Sequence, residues 1–238
     1  MNFQNKNILV AGGSTGIGLA LVKKLVSGGA TVYVVSRSAS ADWPQGVKHL
    51  PADVTGNLDE VPAFLPSVLH GFAYCVGSIT LKPFNRLTDD DFLNDYKLNV
   101  IGAAKLLRQC FAALKVAGGA SVVLASSVAA KTGMPYHASI ASAKSGVEGL
   151  ALSLAAELAP VNIRVNVVAP SLTDTPMAKV LLSTPEKREA SAKRHPLGKI
   201  GQPDDVSEAM AFLLSDNSTW VTGQILGIDG GMGKLKMM

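Results

Sequence analysis

The sequence predicts a single α/β domain over residues 1–238: a doubly wound parallel sheet of about seven strands with helices on both faces. Three observations predict it. Short apolar runs alternate along the chain with longer helix-like stretches, the pattern of parallel strands joined by helical crossovers. The short runs are mostly unbroken apolar sequence, as strands covered on both faces require. A glycine-rich turn, Gly12-Gly13-Ser14-Thr15-Gly16-Ile17-Gly18, joins the first strand to the first helix. No repeat, low-complexity segment or linker interrupts the alternation.

Ile8, Leu9 and Val10 make the first strand, and residues 19–26 the helix that follows. Glycines between them let the backbone approach a ligand with no Cβ in the way, and the helix start offers free N–H groups at a positive dipole end. A dinucleotide pyrophosphate fits such a place, with Gly12, Ser14, Thr15, Gly16, Ile17 and Gly18 around it, so the domain is of Rossmann type. Residues 31–36 read as the second strand, 47–50 as a short third and 72–76 as the fourth. The crossover at 57–70 is a weak helix, because Pro62 and Pro66 interrupt it. The next crossover opens at Thr88-Asp89-Asp90-Asp91, a cap residue with acids in the first turn, and closes at Gly118-Gly119. Residues 120–126 form the fifth strand. Residues 138–158 form a long helix with Ile140, Val147, Ala151, Leu154 and Leu158 on one face. The sixth and seventh strands are 163–168 and 224–228.

Residues 173–200 behave differently. Lys179, Lys187, Arg188, Lys193, Arg194 and Lys199 stand there against Asp174, Glu186 and Glu189. A lid over a substrate and a solvated surface insertion both fit this composition.

The bulk numbers exclude several classes. A chain that is 47% hydrophobic and 17% charged supports one domain with a large core. The formal charge of +4 carries no dense basic run interleaved with aromatics, so nucleic-acid binding is not expected. Cys75 and Cys110 are too few for a disulfide framework or a zinc site, which suits a reducing, cytoplasmic setting. The first six residues are polar, so no secretory signal is expected. Glu148, Glu157 and Arg164 break the apolar stretches, so no membrane span is expected. The four histidines lack metal-ligand spacing.

The ordered motifs resemble the short-chain dehydrogenase/reductase family over nearly the whole chain. Gly12-x-x-x-Gly16-Ile17-Gly18 matches its cofactor loop, and Asp53-Val54 the pair that meets the adenine ring. Asn99, Ser127 and Lys144 match three members of its catalytic tetrad. Asn166-Val167-Val168-Ala169-Pro170, with Thr173 and Thr175 beyond, matches the turn that holds the nicotinamide. Gly201-Gln202-Pro203-Asp204-Asp205-Val206, Val221-Thr222-Gly223-Gln224 and Asp229-Gly230-Gly231 are similar to its C-terminal third. The resemblance implies a nicotinamide cofactor, a small carbonyl or alcohol substrate, and a homo-oligomer, dimer or tetramer.

Three departures stand out. The family motif is Tyr-x-x-x-Lys, and four residues before Lys144 stands Ile140. The serine register agrees, because Ile140 lies 13 residues after Ser127, as the family tyrosine does. Tyr74-Cys75-Val76-Gly77 replaces Asn-Asn-Ala-Gly, keeping only Gly77, and Pro170-Ser171 replaces Pro-Gly.

The first departure bears on chemistry. In the family, hydride passes between C4 of the nicotinamide and a carbonyl carbon, and the developing alkoxide needs a proton. The resemblance implies that Lys144 lowers the tyrosine pKa and holds the ribose, that Ser127 bonds the carbonyl oxygen, and that Asn99 holds a relay water. Ile140 has neither donor nor acceptor. Losing a positioned general acid costs roughly 10²- to 10⁴-fold in rate, or about 3–5.5 kcal/mol of barrier. His137 lies three residues before Ile140 and seven before Lys144, spacings that share a helix face, and an imidazole titrates near neutrality. It is the candidate substitute, with a solvent-facing or capping role as the alternative. Tyr136 carries a usable hydroxyl in the preceding loop, and Ser139 and Ser142 read as helix filler.

At the end of the second strand Ser36 and Arg37 stand where an acid would select a ribose hydroxyl. A guanidinium beside a hydroxyl suits a phosphate, so NADP(H) is favoured over NAD(H). Three readings follow: an NADP(H)-dependent oxidoreductase with an altered proton-donor site, an NADP(H)-binding protein without turnover that serves as sensor or oligomer subunit, and an acyl-thioester or enoyl-reductase-like enzyme.

Overall fold

The computed structural model describes residues 1–236. Its centre is a seven-stranded parallel sheet: β1 Asn7–Ala11, β2 Thr31–Ser36, β3 Lys48–Pro51, β4 Gly71–Tyr74, β5 Ala120–Ala125, β6 Ile163–Pro170 and β7 Ile225–Ile228. The order across the sheet is β3-β2-β1-β4-β5-β6-β7. Strand order reverses between β1 and β4, which pair from Ile8 with Gly71 to Ala11 with Tyr74. A crevice opens at their carboxyl ends, the place where such sheets receive ligands.

Alternation along each strand assigns the two layers. Ile8 and Val10 of β1, with Val32 and Val34 of β2, face α1 Gly16–Ser27 and α7 Pro203–Leu214. Leu9 and Ala11, with Tyr33 and Val35, face the layer of α4 Gly102–Val116 and α5 Ala138–Leu158. Leu9, Leu21, Leu25, Leu106 and Leu114 are fully buried, and each such side chain contributes about 1.5–3 kcal/mol over an exposed one.

The expected weak crossover is a single turn, α2 Val61–Phe64, ended before Pro66. The crossover from Thr88 is not one helix. α3 Asp89–Tyr96 begins in a capping box between Thr88 and Asp91, and a π-helical turn over Lys97–Ile101 separates it from α4. Asn99 sits in that wider turn, and its Nδ2 donates to Asp95 O at 2.8 Å. The turn aims Asn99 inward, where it is 1% exposed.

The 173–200 segment is pinned at its ends by a bridge between Thr173 and Gly201. It carries α6 Pro185–Ala192, capped by Thr184, and Arg188 reaches Asp174 through two bonds of 2.7 and 3.2 Å.

Candidate active site

The carboxyl ends of β1, β4, β5 and β6, the start of α1, the first turns of α5 and the 173–200 segment enclose a cavity of about 310 Å³. Gly12, Thr15, Gly16, Ile17, Gly18, Gly77, Ser127, His137, Ile140, Lys144, Pro170, Thr173 and Thr175 all line it. Ser14, Ser36, Arg37, Asp53, Val54 and Asn99 lie outside its wall.

The glycine loop is built for close approach. A Cβ on Gly18 would overlap the Gly12 carbonyl oxygen, so α1 begins tight against the loop. Its N-cap, Thr15, makes no side-chain cap bond, and no acid stands in the first turn. The helix start is therefore open to an anion, and the residues fit a pyrophosphate.

Gly77 and Lys144 stand at the bottom, and Asn99 meets them from behind the wall. A Cβ on Gly77 would lie 3.2 Å from Lys144 Nζ and 3.3 Å from Asn99 Oδ1. Lys144 Nζ donates to Ala125 O at 2.8 Å. Burial lowers the Lys144 pKa to about 8, against the opposing pull of Cys75 and Asp95. Asn99 Oδ1 is buried and has no hydrogen-bond partner among the described residues. A buried ammonium and a bare buried acceptor facing one glycine fit a ligand that carries hydroxyls, such as a ribose. Ser127 Oγ accepts from Ala129 N at 3.2 Å, capping a short 3₁₀ turn, and still lines the cavity.

Ile140 stands one turn before Lys144, 6% exposed, with its side chain in the cavity wall. His137 is at the N-cap of α5 without a capping bond. Its Nδ1 lies 2.7 Å from Pro135 O. A carbonyl only accepts, so Nδ1 carries the proton and Nε2 is the edge left for a ligand. Tyr136 holds a left-handed backbone conformation (φ 69°), is 59% exposed and does not line this cavity.

Two side-chain readings need correction. Ser139 is not filler: it is 1% exposed and donates to Asp95 Oδ2 at 2.6 Å. Asp95, itself 2% exposed, also accepts from Ser78 at 2.6 Å and Thr80 at 3.0 Å. Ser78 in turn accepts from Asn99 Nδ2 at 3.1 Å. Three hydroxyls therefore satisfy a carboxylate that burial would otherwise penalise. Ser36 is not free to meet a phosphate as a donor, because its hydroxyl donates to Ser38 O at 2.9 Å. Arg37 beside it is exposed, and its charge helps hold the Asp53 carboxyl below the usual range, behind hydrogen bonds from Thr55.

Sequence reasoning missed four groups. Tyr74 donates to Leu98 O at 2.6 Å and so ties β4 to the π turn, in place of the missing asparagine contacts. Burial raises its phenol well above the usual range. Trp43 Nε1 donates to Gly13 O at 2.8 Å, locking the glycine loop from outside. Ser171 Oγ and His195 Nε2 lie 2.8 Å apart in the cavity wall. The signal for that last pair was available in Pro170-Ser171, a position where a glycine is usual.

Comparison with known proteins agrees with this geometry. A family model described as "Enoyl-(Acyl carrier protein) reductase" matches residues 11–233. A 3-oxoacyl-[acyl-carrier-protein] reductase, FabG, of Thermotoga maritima is 32% identical over 98% of this chain and 99% of its own. A tropinone reductase homologue of Arabidopsis thaliana is 30% identical over 97% of this chain and 94% of its own. A short-chain dehydrogenase/reductase structure from Mycobacterium ulcerans superposes with a TM-score of 0.89 at 30% identity, covering 98% of this chain and 91% of that one. With a seven-stranded parallel sheet, a glycine loop at its switch point and relatives that match end to end, the chain belongs to the short-chain dehydrogenase/reductase family of oxidoreductases.

Proposed function

We propose that the protein is an NADP(H)-dependent oxidoreductase acting on a carbonyl or alcohol substrate, through an active site in which hydrocarbon replaces the tyrosine proton donor. One observation carries the reading. Lys144 and Ser127 line one cavity, Asn99 Oδ1 lies beside Gly77 and Lys144 behind its wall, and Ile140 fills the wall one turn before the lysine. In this reading the cofactor supplies or receives hydride. Gly12, Gly16 and Gly18 admit its pyrophosphate, with Ser14, Thr15 and Ile17 on the same loop. Asp53 and Val54 border the adenine, and Gly77, Pro170, Thr173 and Thr175 border the nicotinamide. Lys144 holds a hydroxyl at the cavity floor with Asn99 Oδ1 behind it, and Ser127 Oγ orients the substrate oxygen. Arg37 supports the phosphate preference, since no acid stands at the end of β2.

Around that centre, Ile79, Leu81, Val128, Met134, Leu172, Met177 and Leu181 make an apolar wall suited to a small or medium-sized organic body. Residues 173–200 act as its lid. Trp220 is 99% exposed and Leu226 39% beside β7, and Leu152 is 60% exposed on α5, which supports a homo-oligomer. A cytoplasmic location accords with two free cysteines and with the absence, among the described residues, of a helix long and apolar enough to cross a membrane.

The test is NADPH oxidation over ketones, diketones and enones by wild type and Ile140→Tyr, with NADPH affinity measured on both. Wild-type turnover supports the enzyme. The second reading, a cofactor-binding protein without turnover, rests on the same Ile140. It takes over if wild type binds NADPH and stays silent while Ile140→Tyr turns over. Loss of NADPH binding in both refutes each of them.

A further inference from the structure

Two departures from the family pattern meet in one cavity: Ile140, where a phenol is missing, and Ser171, where a hydroxyl has been added. His195 stands behind the added hydroxyl. It is 4% exposed, its Nδ1 lies 2.8 Å from Ser191 O, and its Nε2 lies 2.8 Å from Ser171 Oγ. Ser191 O can only accept, so Nδ1 keeps a proton, and in the neutral ring Nε2 is the acceptor for the Ser171 hydroxyl. When the ring is cationic the bond reverses: Nε2–H donates to Ser171 Oγ, and the hydroxyl proton turns from Nε2 to its other acceptors, Met232 Sδ at 3.1 Å or an oxygen in the cavity. Hydrogen bonds fix the imidazole on both sides and burial holds it in place. This is the arrangement of a proton store behind a hydroxyl, with the base oriented by a third group.

The charged groups nearest in sequence and on the packed turn are engaged elsewhere. Arg194 donates to Ser191 Oγ at 3.1 Å. Asp229, in the turn after β7 that packs against His195 through Gly230, accepts from the amides of Gly231 and Gly233. Lys144 and His137 are the other titratable groups of the cavity wall besides Cys75, and Lys144 is held by Ala125 O. Met232 Sδ, 3.1 Å from Ser171 Oγ, is a weak acceptor for the same hydroxyl, one that a substrate oxygen displaces.

We propose that Ser171 and His195 form the proton relay of this active site, replacing the tyrosine lost at position 140. The proposal rests on the oxidoreductase reading above. In reduction the carbonyl carbon receives hydride from the reduced nicotinamide, and the carbonyl π pair moves to oxygen. That oxygen takes the Ser171 Oγ proton, and Ser171 takes the Nε2 proton of the imidazolium. The ring ends neutral, the products are alcohol and oxidised nicotinamide, and oxidation of an alcohol runs the same path backwards.

The test combines a spectroscopic arm with a kinetic one. In ¹⁵N-histidine-labelled protein, the His195 signals, assigned by their loss in His195→Gln, show a proton held at Nδ1 in both ring states and an Nε2 that alternates between accepting from and donating to Ser171, and Ser171→Ala shifts the Nε2 resonance. An Nε2–H tautomer, or no response to Ser171→Ala, overturns the relay without touching the functional reading. In kinetics, Ser171→Ala and His195→Gln each lower kcat about 10²-fold in the wild-type background, with NADPH affinity and melting temperature near wild type. In the Ile140→Tyr background, where a phenol supplies the proton, the same changes cost less than about 3-fold, because double-mutant coupling isolates the shared role. Equal losses in both backgrounds, or a loss confined to His137→Ala, overturn the relay. Wild-type silence with activity in Ile140→Tyr also overturns it and leaves the cofactor scaffold standing. Failure of every variant to bind NADPH sinks the functional reading itself.

Discussion

Replacing Lys144 by methionine removes the buried ammonium and keeps most of the stem's volume. Lys144 is 7% exposed, and burial lowers its pKa from 10.5 to about 8. The sign follows from linkage. Below pH 8 both folded and unfolded chains carry the proton, and the folded state bears the whole cost of the buried charge. Between 8 and 10.5 the unfolded chain still holds a proton that the folded one has released, so stability rises with pH. The cost is on the order of 3 kcal/mol at pH 7 and about 1.5 kcal/mol at pH 9.5. In the variant Ala125 O loses the donor that Nζ gives it at 2.8 Å, an offset of about 1 kcal/mol. Lys144→Met is therefore more stable than wild type by about 2 kcal/mol at pH 7 and by about 0.5 kcal/mol at pH 9.5. At pH 7 that raises the melting temperature by roughly 4–8 °C for a chain of this length. Burial raises the Cys75 and Cys110 thiols to about 12, so both proteins lose stability as pH climbs past 9. The Cys110 loss cancels in the comparison. The Cys75 loss is larger in the variant, which lacks the lysine that lowers that thiol, and so narrows the variant's lead at high pH in the same direction as the lysine effect. Urea denaturation of the cofactor-free proteins at both pH values reads the result. A variant less stable at pH 7, or a gap that is the same at both pH values, refutes the reasoning.

Three further perturbations probe other parts of the site. Gly18→Ala sets a Cβ against the Gly12 carbonyl, so the loop must move; stability should fall by about 2 kcal/mol, and a fluorescence titration should show NADPH affinity lost, whereas normal binding would mean the loop is not the pyrophosphate seat. Asp95→Ala strands the Ser139, Ser78 and Thr80 hydroxyls and should cost about 3 kcal/mol in denaturant melts; an unchanged midpoint would show that those hydroxyls find other acceptors. Arg37→Asp should reverse the preference between NADPH and NADH by about 10-fold or more in the ratio of Kd values, the loss of one charge-assisted contact and the gain of a repulsion; unchanged Kd values defeat the phosphate assignment.

How much of this was legible beforehand depended on where the deciding contact lies. The alternation and the glycine loop are local patterns, and each carries its own physical requirement, so the parallel sheet and the loop after its first strand could be read directly, while the strand order could not. The register from Ser127 to Lys144 placed Ile140 in the wall without coordinates, because a helix fixes what stands four residues before its lysine. The π turn at Lys97–Ile101 was hidden, since Tyr96-Lys97-Leu98-Asn99 has ordinary helical sequence and only tertiary contacts, Tyr74 to Leu98 O among them, widen it. Ser139 looked like filler because its acceptor, Asp95, is 44 residues away. His195 was invisible for the same reason, its serine partner lying 24 residues earlier across the lid segment.

These long-range contacts also explain why the site remains organised around a lysine that is costly to keep. With isoleucine at 140, the ammonium has apolar surface on its helical side, and Ala125 O is the carbonyl that holds it. Cys75 and Asp95 pull the other way on the lysine, and Asp95, itself buried, accepts hydrogen bonds from three hydroxyls. The same carboxylate anchors Ser78, and Ser78 anchors the amide end of Asn99, which leaves the Oδ1 end turned toward Gly77 and the lysine. A core that had merely lost its chemistry would gain stability by exchanging such a set for hydrocarbon, because a buried charge with incomplete partners is worse than an apolar side chain of equal volume. Asp95, Asn99 and Lys144 held together beside the hydrocarbon of Ile140 are the arrangement expected if, as proposed, this polar set serves a ligand and the proton arrives from a different wall of the cavity.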